Sequence, residues 1–94
     1  MVIGALEVRL KILGSRSLKE KRKVLKSLKD RFSRMNISIA EVDDQDKWQA
    51  CTLAFSFVSN DAGFVNSVLD RIIQGLGDND EIEILGTRTE IIHI

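Results

Sequence analysis

The chain has 94 residues, 44% hydrophobic and 30% charged, with 14 basic and 14 acidic residues, no proline and one cysteine. A chain of that length buries roughly 60–65% of its unfolded surface and folds without metal or disulfide support, so residues 1–94 read as a single domain, and the composition argues against disordered tails. The neutral total hides a split: residues 15–34 hold nine of the 14 basic residues and two of the 14 acids, leaving seven net positive charges there and seven net negative charges elsewhere.

Val2, Leu6, Val8, Leu10 and Ile12 alternate with Ala5, Glu7, Arg9 and Lys11, the period of two of a strand with one apolar face. The charges at Glu7, Arg9 and Lys11 also break the apolar run that a secretory leader needs. No other segment has the apolar length to span a bilayer, and Cys51 has no disulfide partner, so a reducing cytoplasm is the expected location and Cys51 reads as a small buried hydrophobe.

Ser17 and Glu20 have capping-box spacing, which predicts a helix from there to about Met35. Its apolar stripe is Leu18, Val24, Leu25, Leu28, Phe32 and Met35, while Lys19, Arg22, Lys23, Lys26 and Lys29 project from the opposite face. Lys21 falls inside the apolar stripe. The reading preferred for it is a snorkelling stem near the helix start, the alternative being a functional lysine.

Ile37–Asp43 and Trp48–Ser59 read as the second and third strands, joined by the polar hairpin Asp44, Gln45, Asp46 and Lys47. The large residues Cys51, Leu53, Phe55 and Phe57 are assigned to the core, and the small residues Ala50, Thr52, Ala54 and Ser56 to an open, flat face. Asn60 is taken as the cap of a second helix that buries Phe64, Val65, Val68, Leu69, Ile72 and Leu76, with Gly75 and Gly77 as a left-handed exit. Glu81–Ile94 alternates as a last strand whose phase is broken at Gly86 and Thr87, as a bulge or kink would do. The order βαββαβ with right-handed crossovers gives an α+β, ferredoxin-like sandwich: a four-stranded antiparallel sheet with two helices on one face.

Gly14-Ser15-Arg16-Ser17-Leu18-Lys19-Glu20-Lys21-Arg22, Ala40-Glu41-Val42-Asp43, Gln45-Asp46, Trp48-Gln49 and Val58-Ser59-Asn60-Asp61 occur in this order. In these residues the chain resembles the YlxP-like family of small bacterial proteins over nearly its whole length, most weakly in the last strand. The resemblance implies a ferredoxin-like fold and no established activity. Through gene neighbourhoods that include a ribosome-binding factor and translation initiation, it also implies a role around RNA or ribosomes. It marks Ser15–Arg22 and the Trp48 region without assigning them a task.

Arg16, Lys19, Arg22, Lys23, Lys26 and Lys29 are the candidate nucleic-acid contacts, because cations spaced along one helical face can follow phosphates and release counterions. The plain alternative is a solvated helix face. A homodimer is expected through Trp48, Ala50 and Thr52, where small side chains surround one aromatic, and a protein-interaction module without nucleic acid is the second functional reading. A third, enzymatic reading takes the first and third strands as parallel. That would bring Ser15, Arg16 and Ser17 near Ser59 and Asn60 as an anion site loosely like that of an acylphosphatase, but no nucleophile with a base accompanies it. Glu41, Asp43, Asp44 and Asp46 are given turn and solvation roles rather than a metal, and His93 lacks companions for zinc. No cofactor, no metal, no membrane contact and no catalytic residue are therefore expected.

Overall fold

In the computed structural model, which describes residues 1–94, strand β1 (Val2–Ile12) is followed by helix α1 (Leu18–Ser33), strands β2 (Ser38–Asp43) and β3 (Ala50–Ser59), helix α2 (Ala62–Gly77) and strand β4 (Ile82–His93). The sheet order is β2-β3-β1-β4 and each neighbouring pair is antiparallel, the ferredoxin-like topology expected from the element order. A crossover helix makes β1 and β2 run the same way, so the hairpin strand between them must run the other way. β1 and β3 are accordingly antiparallel, with Val2 opposite Ser59 and Lys11 opposite Ala50, which corrects the parallel pairing expected from the sequence.

The period-two pattern is realised in β1, where Val2, Leu6, Val8, Leu10 and Ile12 are buried. Gly4 belongs to the same face. A Cβ there would lie 2.5 Å from a Val65 methyl, so the glycine lets α2 approach the sheet. From β3, Cys51, Leu53 and Phe55 enter the core, and Phe55 meets Phe32 of α1 edge to face at 5.4 Å between ring centres. Leu25, Leu28 and Phe32 complete the contribution of α1, each burial contributing about 1.5–3 kcal/mol. Val65, Val68, Leu69, Ile72 and Leu76 do the same for α2. Phe64, expected inside, is 47% exposed: it sits in the first turn of α2 and lies against the half-buried Phe57 ring at 5.6 Å. Met35 falls beyond the end of α1 and is exposed.

The helix ends follow local chemistry. The Ser17 hydroxyl accepts from the Glu20 amide at 3.2 Å, and the Glu20 carboxylate accepts from the Arg16 amide, a capping box displaced by one residue. Asp61, not Asn60, caps α2, its carboxylate accepting from the amides of Gly63 and Phe64 at 2.9 and 3.2 Å. The expected left-handed glycine exit is also absent. Gly75 and Gly77 lie within α2, which ends on Asp78 in right-handed geometry, and Gly75 makes room for the Arg31 guanidinium, 2.9 Å from where a Cβ would be. The break in β4 is a bulge: the register with β1 slips between Arg9 and Leu10, leaving Leu85 as the extra residue beside Gly86.

Lys21 departs furthest from expectation. Its side chain is 1% exposed, its ammonium lies 2.9 Å from the Glu41 carboxylate and donates to the Asp44 carbonyl at 2.6 Å. Glu41 sits opposite Leu53 on the core-facing side of β2, so it meets Lys21 beneath the helix rather than in water. A snorkelling ammonium would have to pass outward over the edge strand, and a carboxylate and a carbonyl already wait below. The nearby thiol of Cys51, itself 1% exposed, is pushed up from 9.0 to about 12, chiefly by burial and next by the Glu41 charge.

Lys21→Ala leaves a buried carboxylate without its cation, and urea denaturation is expected to show a loss of about 3–5 kcal/mol, most of it recovered when Lys21→Met is combined with Glu41→Leu. The Cys51 thiol stays protonated at neutral pH, so a thiol reagent should modify it only as the protein unfolds. Because the folded chain holds this proton more tightly than the unfolded one, stability should fall as pH rises from 9.0 toward about 12, and Cys51→Ala should flatten that fall.

Candidate nucleic-acid interface

The stripe of Lys21, Leu25, Leu28 and Phe32 that α1 buries fixes which residues face away from the sheet. Arg16, Lys19, Arg22, Lys23 and Lys26 are exposed and Lys29 is half-buried. At 100° per residue Lys19, Lys23 and Lys26 form the centre of the outer face, with Arg22 and Lys29 along one flank. The row from Lys19 to Lys29 is about 15 Å long at 1.5 Å per residue. No carboxylate lies within ion-pair distance of these six side chains; the chain's two ion pairs are Lys21 with Glu41 and Lys47 with Asp44. Asp30 is the one acid projecting among them, and Arg31 leans away across its own Phe32 ring toward Gly75 of α2. Five of the six candidate contacts, Lys19 to Lys29, thus share the outer side of α1, and Arg16 lies just before its cap at Ser17.

The candidate anion site is not brought together. Ser15, Arg16 and Ser17 follow the end of β1 at Ile12, whereas Asn60 follows Ser59, which pairs with Val2 at the other end of the same strand. Ten residue steps separate the two ends, about 33 Å. Ser15 is buried and its hydroxyl donates to the Ser17 carbonyl, while its own carbonyl accepts from the Gln49 side chain at 3.1 Å. The amides of Arg16 and Glu20 are occupied by the cap, and with Asn60 at the far end of the strand the start of α1 lacks the second helix start that the expected anion site needs.

The candidate interface is altered in the same way. Trp48 is 55% exposed but lies in the hairpin before β3, and Ala50 is half-buried. Thr52 is 5% exposed, its hydroxyl 3.4 Å from the Asp44 carboxylate, so it adds nothing to a flat open face. Asp44 adopts positive φ at the start of the turn and turns its carboxylate to Lys47 at 3.1 Å; the bond to Lys47 holds that carboxyl below its usual range and holds the lysine above its own. Asp43 accepts from the Asp44 amide at 2.8 Å within the turn, whereas Glu41, given a turn and solvation role from the sequence, lies inside against Lys21; no three His, Cys, Asp or Glu side chains converge. His93 is exposed at the end of β4.

The face of the sheet away from the helices carries Ile3, Ala5 and Glu7 from β1, and Ala54, Ser56 and Val58 from β3. A shallow depression over Glu7, Ala54 and Arg88 is its main relief. It holds no aromatic side chain, since Phe55 and Phe57 point to the helix side. Sequence reasoning also missed Glu41 as a core-facing residue; its position two residues after Ile39 marks it as such only once the pairing of β2 with β3 is known.

No helix is long and apolar enough to cross a membrane. Residues 3–89 match the family model described as "Protein of unknown function (DUF503)". The chain is 37% identical over 90 residues to the uncharacterized protein YlxP of Bacillus subtilis (strain 168), covering 95% of this chain and 98% of that one. Among solved structures, the de novo designed protein Foldit4 superposes with a TM-score of 0.60 at 12% identity, covering 94% of this chain and 96% of the design, a likeness of fold alone.

Proposed function

The chain belongs to the DUF503 family of proteins of unknown function, and we propose that within it this protein is a non-catalytic, cytoplasmic binding protein that docks on RNA, free or within a ribosome, through the outer face of α1. The observation that carries the reading is the set of Arg16, Lys19, Arg22, Lys23, Lys26 and Lys29, no side chain of which is paired with a carboxylate although the rest of the chain is net acidic. Fixed cations at helical spacing suit phosphates, and each contact steepens the salt dependence of binding by about 0.7 to 0.9 log units. Recognition is then by phosphate and shape, because the open sheet face lacks the aromatic platform on which single-stranded bases stack.

The internal use of the acids favours RNA over a self-neutralising protein contact. Glu41 is engaged by Lys21 and Asp44 by Lys47, so the acidic hairpin has fewer charges to offer a second basic helix. The non-catalytic reading is supported by the dispersed anion residues and by the protonated, buried thiol of Cys51.

Changing Lys19, Lys23, Lys26 and Lys29 together to glutamine is expected to weaken low-salt RNA retention and ribosome co-sedimentation by at least tenfold and to make the salt slope shallower by about three log units. Undiminished association of that variant contradicts the proposal.

A further inference from the structure

β4 is a long edge strand with nothing paired along its outer side. The other edge, β2, is short, six residues against twelve, and bulged between Glu41 and Asp43. Both are devices that discourage strand addition. β4 has neither proline nor lysine, and its bulge lies near its start at Leu85. Downstream, Thr87, Arg88, Thr89 and Glu90 are all exposed, on the helix side of the sheet as well as on the open side.

The phase of the unused backbone groups follows from the end of the strand. Ile94 and Met1 exchange both backbone hydrogen bonds at 2.9 Å, and in an antiparallel ladder such pairs alternate with non-bonded ones. The register is unbroken from Val2 opposite His93 to Arg9 opposite Gly86. Ile92, Glu90 and Arg88 therefore turn their amides and carbonyls to β1, and Ile91, Thr89 and Thr87 turn theirs outward, where the chain supplies no backbone partner.

We propose that the outer edge of β4 pairs with β4 of a second copy of this chain, antiparallel and centred on Thr89, joining two sheets into one of eight strands. In that register Thr89 exchanges hydrogen bonds with Thr89 of the partner subunit across the two-fold axis. Arg88 then stands directly opposite Glu90 of the partner subunit, and Glu90 opposite Arg88 of the partner subunit. Both are non-bonded positions, where side chains come closest. Moving the centre by one residue sets Arg88 or Glu90 against its own copy, and like charges directly opposite are unfavourable, so charge selects one register. Gly86, which has nothing within 4 Å of a Cβ position, leaves room opposite Ile92 of the partner subunit. The two-fold axis is perpendicular to the sheet, so all four helices lie on one side and both basic faces of α1 are presented together. This interface replaces the one expected at Trp48, Ala50 and Thr52.

Sedimentation velocity over a range of concentrations tests the pairing. The parent is expected to dimerise, and Arg88→Glu or Glu90→Arg alone should raise the dimer dissociation constant by about tenfold or more, since each sets two like-charge pairs face to face. The double variant R88E/E90R should restore the parent value, an outcome that general destabilisation would not produce. Thr89→Pro, which removes an outward amide and no bond to β1, should give a folded monomer by circular dichroism and sedimentation. A parent that stays monomeric, or a dimer whose dissociation constant in R88E and in T89P is unchanged from the parent's, overturns the proposal.

Discussion

A cation and an anion that would each be costly alone hold the first helix in place. Lys21 and Glu41 meet at 2.9 Å where α1 passes over the edge strand, with the lysine closed off from water and also bonded to the Asp44 carbonyl. Such a pair contributes little net stability compared with apolar residues of the same size, yet removing either member leaves a buried charge uncompensated. Its effect is orientational. A helix stripe of leucine and phenylalanine tolerates some rotation, whereas an ammonium that must reach one carboxylate does not. With Lys21 turned inward, periodicity requires Lys19, Lys23 and Lys26 to turn outward.

The same pair shapes the charge pattern of the surface. The basic segment has one cation neutralised from within, and that cation is the one facing the sheet. The acidic hairpin in turn loses Glu41 to the interior and Asp44 to its own turn. What remains is a basic helix face on one side and, on the other, a sheet face that mixes small, aliphatic and charged side chains, with Phe55 and Phe57 turned away from it. The molecule thus presents unpaired cations on its helix side, and β4 forms the sheet edge opposite β2, over which Lys21 anchors α1.

Much of the fold was legible in the sequence because its signals are local: the alternation of Val2 to Ile12, the Ser17–Glu20 cap, the stripe of α2 and the break at Gly86 each need only a few neighbouring residues. The errors arose where the answer depends on distant chain. Asn60 and Asp61 are equally good caps by type, and only the geometry of the strand exit chooses the acid. Thr52 reads as outward by parity, and it is covered because the Asp44 turn folds back over it. The strand directions that separate Ser15 from Asn60 follow from the crossover and the hairpin taken together, which no single motif carries. The outward lysines could be read from periodicity, but the partner of Lys21 could not, since Glu41 is twenty residues away on an edge strand whose core parity shows only once its pairing with β3 is known.

Amine labelling followed by mass spectrometry, on the free protein and on the protein bound to RNA, tests this account most directly. It predicts that Lys19, Lys23 and Lys26 label rapidly in the free protein and are protected when RNA is bound, while Lys21 labels only on unfolding. Labelling of Lys21 at the rate of its neighbours, or outward lysines that bound RNA leaves unprotected, would contradict it.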